Sequence, residues 1–345
     1  MRKITPVKLK NLTLDGSHIC VQSMLNVISS DIAGNVAQAL ALEKAGCEII
    51  RVSIPDESAL DLIPAIKSSV SVPLVADIHF DYRLAIASAE RGIDKIRINP
   101  GNIGSPERVK AVADECRRRN IPIRIGVNSG SLDKKLLEKY GSPTPEALCE
   151  SAMQEIRELE RCDFGDIVIS LKSSDVSRTI AAYRLISEMT DHPLHLGVTE
   201  AGTYKMGLIK SAIGIGSLLN DGIGETIRVS LTDDPVREVE AGFDILKALG
   251  KTGGVKIVSC PTCGRTKIDL IGLAHRVEDA VKDIDKNITV AVMGCVVNGP
   301  GEAKEADIGL AGGDGCAVIF KKDEIIGKFS EDEALSALLR EIDKL

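Results

Sequence analysis

Across residues 19–249 a short apolar, β-branched run and a longer helical pattern alternate eight times. The runs at 19–23, 48–53, 74–79, 95–99, 123–127, 167–172, 194–198 and 226–231 read as strands. Helical patterns follow, as at 31–45, 105–119, 144–161 and 235–249. Ser105-Pro106, Thr144-Pro145 and Asp234-Pro235 each place a capping side chain before a proline in the first turn. Eight strand–helix units in about 230 residues match a (β/α)8 TIM barrel in number and length. A doubly wound open sheet rarely repeats eight times without a break. A β-hairpin with Asp15-Gly16 as its turn is expected ahead of the first unit.

Gly250-Lys251-Thr252-Gly253-Gly254 ends the repeat and reads as a linker. The expected organisation is a TIM-barrel substrate-binding domain over 1–250 and a small α+β domain over 251–345. The second domain should hold strands at 255–259, 288–293, 308–311 and 317–321, with helices at 267–282 and 331–345. It carries Cys260-Pro261-Thr262-Cys263-Gly264-Arg265 and Met293-Gly294-Cys295-Val296-Val297-Asn298-Gly299-Pro300-Gly301-Glu302. Two thiols on one turn and a third on a Gly/Pro-rich loop suit a metal centre better than a disulfide. The Cys-x-x-Cys pair alone fits redox, zinc or cluster chemistry. Cys20, Cys47, Cys116, Cys149, Cys162 and Cys316 lack ligand-like spacing and are expected to pack.

The net charge of −7 argues against general nucleic-acid or anionic-membrane binding. The start, Met1-Arg2-Lys3-Ile4-Thr5-Pro6, has no apolar signal core, and no run of 18 apolar residues follows. A cytoplasmic protein with reduced thiols is the expectation.

Strand alternation carries the first chemical signal. In Lys95-Ile96-Arg97-Ile98-Asn99 the isoleucines face the helices, so Arg97 and Asn99 face the barrel axis. The same parity turns inward Arg51 with Ser53, Asp77 with His79, Arg124 with Asn128, Ser170 with Lys172, and Arg228 with Ser230. Barrel interiors are normally filled by branched apolar residues. Burying one unpaired charge costs several kcal/mol. Five cations, Arg51, Arg97, Arg124, Lys172 and Arg228, therefore ask for an anion with several oxygens, such as a phosphate or diphosphate. Asp77 and Glu200 are the carboxylates near this mouth. Glu200 is a candidate acid/base and His79 a candidate donor to the ligand.

The tail motifs resemble those of the bacterial 4-hydroxy-3-methylbut-2-enyl diphosphate synthases, iron–sulfur enzymes of the non-mevalonate isoprenoid pathway. The barrel carries matching segments in Gln22-Ser23-Met24, Glu48-Ile49-Ile50-Arg51-Val52-Ser53, Val75-Ala76-Asp77-Ile78-His79-Phe80, Lys95-Ile96-Arg97-Ile98-Asn99-Pro100-Gly101-Asn102, Arg124-Ile125-Gly126-Val127-Asn128 and Gly197-Val198-Thr199-Glu200-Ala201-Gly202. The resemblance spans essentially the whole chain, in the compact two-domain form. It implies a [4Fe–4S] cluster held by Cys260, Cys263, Cys295 and the carboxylate of Glu302. An oxygen ligand is more easily displaced than a thiolate, which leaves one iron open to substrate. The implied reaction is two-electron reductive ring opening of 2-C-methyl-D-erythritol 2,4-cyclodiphosphate with loss of water. By residue match, Arg51, Arg97, Arg124, Asn128, Lys172 and Ser230 hold the diphosphate. Glu200 acts near the breaking C–O bond with Arg228 beside it.

Gly214-Ile215-Gly216-Ser217 is no complete nucleotide fingerprint, so electrons should come from outside the chain, and the resemblance implies a reduced flavodoxin or ferredoxin as donor. The last barrel helix ends at the face opposite the mouth. Five extended residues reach at most roughly 17 Å, against a barrel on the order of 30 Å tall. A head-to-tail homodimer with shared sites is therefore expected. Two other readings compete: a zinc-dependent TIM-barrel enzyme acting on a sugar phosphate, and a non-enzymatic iron–sulfur sensor.

Overall fold

The computed structural model describes residues 2–345 apart from 283, 297–302, 304 and 323, with the side chains of Pro100 and Ser131 also outside the description. The chain divides into two compact units, Met1–Leu249 and Gly250–Leu345.

The first unit opens with a hairpin, β1 (Val7–Leu9) and β2 (Leu12–Leu14). Leu9 pairs with Leu12, so the turn is Lys10-Asn11 and not the expected Asp15-Gly16. Lys10 takes the left-handed conformation there, at φ 52°. The Asp15 carboxylate instead accepts from the backbone and hydroxyl of Ser17, building a separate turn after β2.

Eight parallel strands follow: β3 (Cys20–Met24), β4 (Ile49–Ser53), β5 (Leu74–Asp77), β6 (Lys95–Ile98), β7 (Ile123–Asn128), β8 (Ile167–Lys172), β9 (His195–Leu196) and β10 (Thr226–Ile227). They pair in the order β8-β7-β6-β5-β4-β3-β10-β9, and a bridge between Ile169 and Leu194 closes the ring. This is the TIM barrel expected from the repeat. Helices cross between the strands, and their caps follow the sequence signals in two of three cases. Thr144 and Asp234 accept from the backbone N–H of Ala147 and Val236, while Ser105 makes no side-chain cap bond.

Helix-facing residues such as Val21, Ile50, Leu74, Ile96, Ile123 and Ile169 join the helices in one apolar core. The hairpin residues Val7, Leu9 and Leu14 pack instead with Cys20, Ile49, Val75 and Val168, sealing the N-terminal end of the barrel.

The registers Gln22↔Ile49, Ile50↔Leu74, Val75↔Lys95, Ile96↔Ile123, Arg124↔Val168, Ile169↔Leu194, Thr226↔His195 and Ile227↔Val21 close on themselves with a rise of one residue per strand. Inward side chains therefore stack in layers of four drawn from alternate strands. Ile49, Lys95, Val168 and Thr226 form a low layer. Gln22, Val75, Arg124 and His195 lie above it, and Arg51, Arg97, Ser170 and Arg228 above those. The filling changes from apolar at the sealed end to cationic at the open end.

The second unit is a five-stranded mixed sheet with two helices, Leu270–Val281 and Glu331–Asp343. Strands β11 (Lys256–Ser259), β12 (Thr289–Met293) and β13 (Ile308–Gly312) are parallel, and β14 (Ala317–Lys321) and β15 (Glu324–Phe329) continue antiparallel. The sequence pattern does not announce β15. Ile325 and Ile326 lie on this exposed edge at 61% and 39% exposure, so no buried face imposes alternation.

Candidate active site

A cavity of about 430 Å³ opens at the C-terminal ends of the barrel strands. All five predicted cations line it: Arg51, Arg97, Arg124, Lys172 and Arg228. His79, Asn128, Glu200 and Ser230 join them. So do Phe80, Asn102, Ser129, Gly130 and Thr199, which sequence reasoning did not single out. They sit in the segments after β5, β6, β7 and β9, Asn102 in the short helix Pro100–Ile103 and Ser129 with Gly130 in a 3-10 turn, where no strand parity marks an inward side.

Asp77 and Asn99 are buried and do not belong to this lining. The Asp77 carboxylate accepts from Arg51 Nη2 at 2.5 Å and from Arg97 Nη1 at 3.2 Å, with His79 Nε2 at 3.5 Å. Burial opposes its ionisation, but Arg51 and Arg97 overcome this and hold it well below the usual carboxylate range. Asp77 thus acts as a brace that aims two guanidinium groups at the cavity.

Arg97 also donates from Nη2 to the Gly126 carbonyl at 3.1 Å. A Cβ at residue 126 would lie 2.5 Å from Arg97 Nε, so the arginine can cross β7 only over a glycine. Arg228 is braced by a residue that strand parity could not reveal. Glu238, on the helix Pro235–Ala248, accepts from Arg228 Nε at 3.3 Å and Nη2 at 3.4 Å, and from Ser23 and the Leu231 N–H.

Lys172 and Arg124 have no such carboxylate among the described residues. Lys172 is pushed well below the ordinary lysine range by burial, and then by Arg51 and Arg124. Arg97 and Arg228 are lowered by burial as well, with Asp77 and Glu238 opposing. The cavity is therefore short of negative charge, and a polyanion entering it relieves repulsion built into the fold.

Glu200 is exposed at the rim and holds φ 52°, a left-handed conformation that costs a non-glycine residue on the order of 1–3 kcal/mol. Glu200 is the one carboxylate among the described residues that line the cavity, beside its five cations.

In the second unit the three cysteines follow the ends of two adjacent parallel strands. Ser259 pairs with Val292, so Cys260 and the Gly294-Cys295 segment emerge side by side. The Gly294 N–H donates to Cys260 Sγ at 3.2 Å. Cys263 lies on an exposed turn closed by Thr266 N–H to the Cys263 carbonyl at 3.0 Å. Hydrogen bonds from the backbone and guanidinium of Arg265 lower the Cys263 thiol below its ordinary range. Donors aimed at sulfur and a thiol biased toward thiolate fit an iron–sulfur centre. Glu302, the expected fourth ligand, lies outside the described residues. Among the described residues, His18, Cys20 and Glu48 also bring three ligand-type atoms within 4.8 Å of one another, at the barrel's sealed end.

Residues 5–243 match the GcpE TIM-barrel domain and residues 256–344 the GcpE protein C-terminal domain. The chain belongs to the GcpE family. It is 59% identical to the 4-hydroxy-3-methylbut-2-en-1-yl diphosphate synthase (flavodoxin) of Caldanaerobacter subterraneus, over 100% of this chain and 98% of that protein. The protein of the same name from Fusobacterium nucleatum is 56% identical over 99% of this chain and 97% of the relative. GcpE membership carries both units, so barrel and cysteine-bearing sheet belong to one family architecture. Among solved structures, the dihydropteroate synthase of Yersinia pestis superposes with a TM-score of 0.51 at 16% identity, covering 71% of this chain and 98% of that one. That likeness extends to the barrel fold alone. Among the described residues of this GcpE-family chain, no helix is long and apolar enough to cross a membrane.

Proposed function

We propose that this chain is a 4-hydroxy-3-methylbut-2-en-1-yl diphosphate synthase. It would convert 2-C-methyl-D-erythritol 2,4-cyclodiphosphate, with two electrons and two protons, into the open-chain enyl diphosphate and one water. The observation that carries the reading is the cavity itself. Five cations converge on it, and the carboxylates that brace them, Asp77 and Glu238, are already engaged.

In this reading Arg51, Arg97, Arg124, Lys172, Asn128 and Ser230 grip the diphosphate oxygens, and His79 closes on them from the β5 loop. Arg228 is held by Glu238 beside the reacting carbons. Glu200 delivers a proton to the departing oxygen, since it stands free at the rim with no basic partner among the described residues. Cys260, Cys263, Cys295 and Glu302 would hold a [4Fe–4S] cluster, which supplies single electrons and an open coordination position when bound. A reduced flavodoxin is the donor this reading takes, following the relatives' names.

Anaerobic purification followed by metal analysis tests it. The expected result is about four irons and four sulfides per chain, lost in the Cys295→Ser variant, with turnover of the cyclic diphosphate under reduced flavodoxin. A colourless zinc protein, or a cluster-loaded protein inert toward this substrate, would overturn it.

The short connection at 250–254 supports a head-to-tail homodimer in which one chain's cysteine-bearing unit serves its partner's barrel. Arg97→Ala and Cys295→Ser chains should each be inactive alone and recover activity when mixed. Recovery approaching one quarter of the wild-type rate is expected from random pairing, with one intact site in each mixed dimer. No recovery would refute shared sites.

A further inference from the structure

Below the mouth, two interior layers carry polar side chains that are mostly hydrogen-bond donors. Lys95 lies in the layer with Ile49, Val168 and Thr226; Arg124, Gln22 and His195 share the layer above with Val75. Lys95, Arg124 and His195 are fully buried and Gln22 is 1% exposed. Lys95 Nζ, all three Arg124 guanidinium nitrogens, both polar atoms of the Gln22 amide and His195 Nε2 lack a hydrogen-bond partner among the described residues. The sole polar contact between these side chains runs between His195 Nδ1 and Thr226 Oγ1, at 2.8 Å.

The composition of this group limits what can fill it. An arginine and a lysine offer donors only, and the amide nitrogen of Gln22 adds more. The free acceptors are one glutamine oxygen and, in the neutral imidazole, one ring nitrogen. Burial and the surrounding cations Arg124 and Lys172 hold His195 neutral. A water brings as many donors as acceptors, so water alone leaves the donor excess as large as before. An anion brings acceptors only. Charge says the same, since neither layer contains a carboxylate and Asp77 is already held by Arg51 and Arg97 one layer and more above. Without a counter-ion, burial and Arg124 push Lys95 down to about 7.

We propose that the closed part of the barrel holds a resident small monovalent anion of the halide class, bound between Lys95 and the Gln22–Arg124–His195 layer. A phosphate has the cationic mouth above for its site. Arg124 then faces two anions, the resident ion below and the cavity above. The inner ion fixes the guanidinium plane before substrate arrives.

The test uses the full-length protein. Crystals grown in bromide without chloride should show an anomalous peak inside the barrel, within contact distance of Lys95 Nζ and the Arg124 guanidinium. Peaks confined to the mouth beside Arg51 and Lys172, or an interior holding water only, would overturn the proposal. In solution, replacing gluconate by chloride at constant ionic strength should raise Tm by about 3 °C. Lys95→Met should abolish that increment. An equal chloride response in Lys95→Met would equally refute the site. Should that variant not fold, the bromide experiment on the wild-type protein decides alone.

Discussion

The Glu200→Gln enzyme is expected to fold normally, bind the cyclic diphosphate with little change in affinity, and lose about 10²–10⁴-fold in kcat. The substitution keeps the size of the side chain and its place in the left-handed turn at φ 52°. It removes the proton that Glu200 is proposed to give the departing oxygen. The proposed diphosphate contacts are Arg51, Arg97, Arg124 and Lys172 on other strands, so KM should hardly move. Steady-state kinetics with reduced flavodoxin, beside a binding measurement on the resting enzyme, separates the two effects. A variant whose KM rises at constant kcat would make Glu200 a binding residue and remove it from the chemistry.

Asp77→Asn is expected to act on stability before catalysis. It leaves Arg51 and Arg97 buried without their carboxylate, and removing one partner of such a group typically costs about 3–5 kcal/mol. The pH dependence has a definite sign. The folded-state pKa of Asp77 is depressed, so its contribution is complete above the unfolded value of about 3.9. It fades as pH falls from there toward the folded value. Denaturant unfolding of wild type and variant should differ most near neutrality and converge on acidification. Inorganic pyrophosphate should stabilise the variant more than the wild type, because the two uncovered arginines gain an anion. A gap that stays constant down to pH 3 would show that the carboxylate's charge is not what braces the mouth.

The barrel was legible because each strand–helix unit carries its own periodicity and cap, and eight such units leave few alternatives. The mouth was legible for a related reason. Strand parity is strict, so Arg51, Arg97, Arg124, Lys172 and Arg228 could be assigned one face by counting. The misses arise where parity is silent. Lys95 was not singled out, because depth along the barrel depends on register, which no single strand carries. Gln22 and His195 share a layer with Arg124 for that reason alone. Glu238 reaches Arg228 from a helix, a contact that exists only after packing. Asp77 is covered by Arg51 and Arg97, and Asn99 is buried outside the cavity's lining.

The ring of staves is unevenly fastened. From β8 round to β3, six adjacent strands make continuous ladders, whereas β9 and β10 pair over two residues each and β9 meets β8 through a single bridge. Opening the cylinder at this seam breaks the fewest backbone bonds. Glu200 hangs from the loop just beyond β9, while Arg51, Arg97, Arg124 and Lys172 all stand on the well-fastened arc. Four of the cavity's cations, Arg51, Arg97, Arg124 and Lys172, thus stand on one continuous ladder, while Glu200, Arg228 and Ser230 follow the two short strands beside the seam.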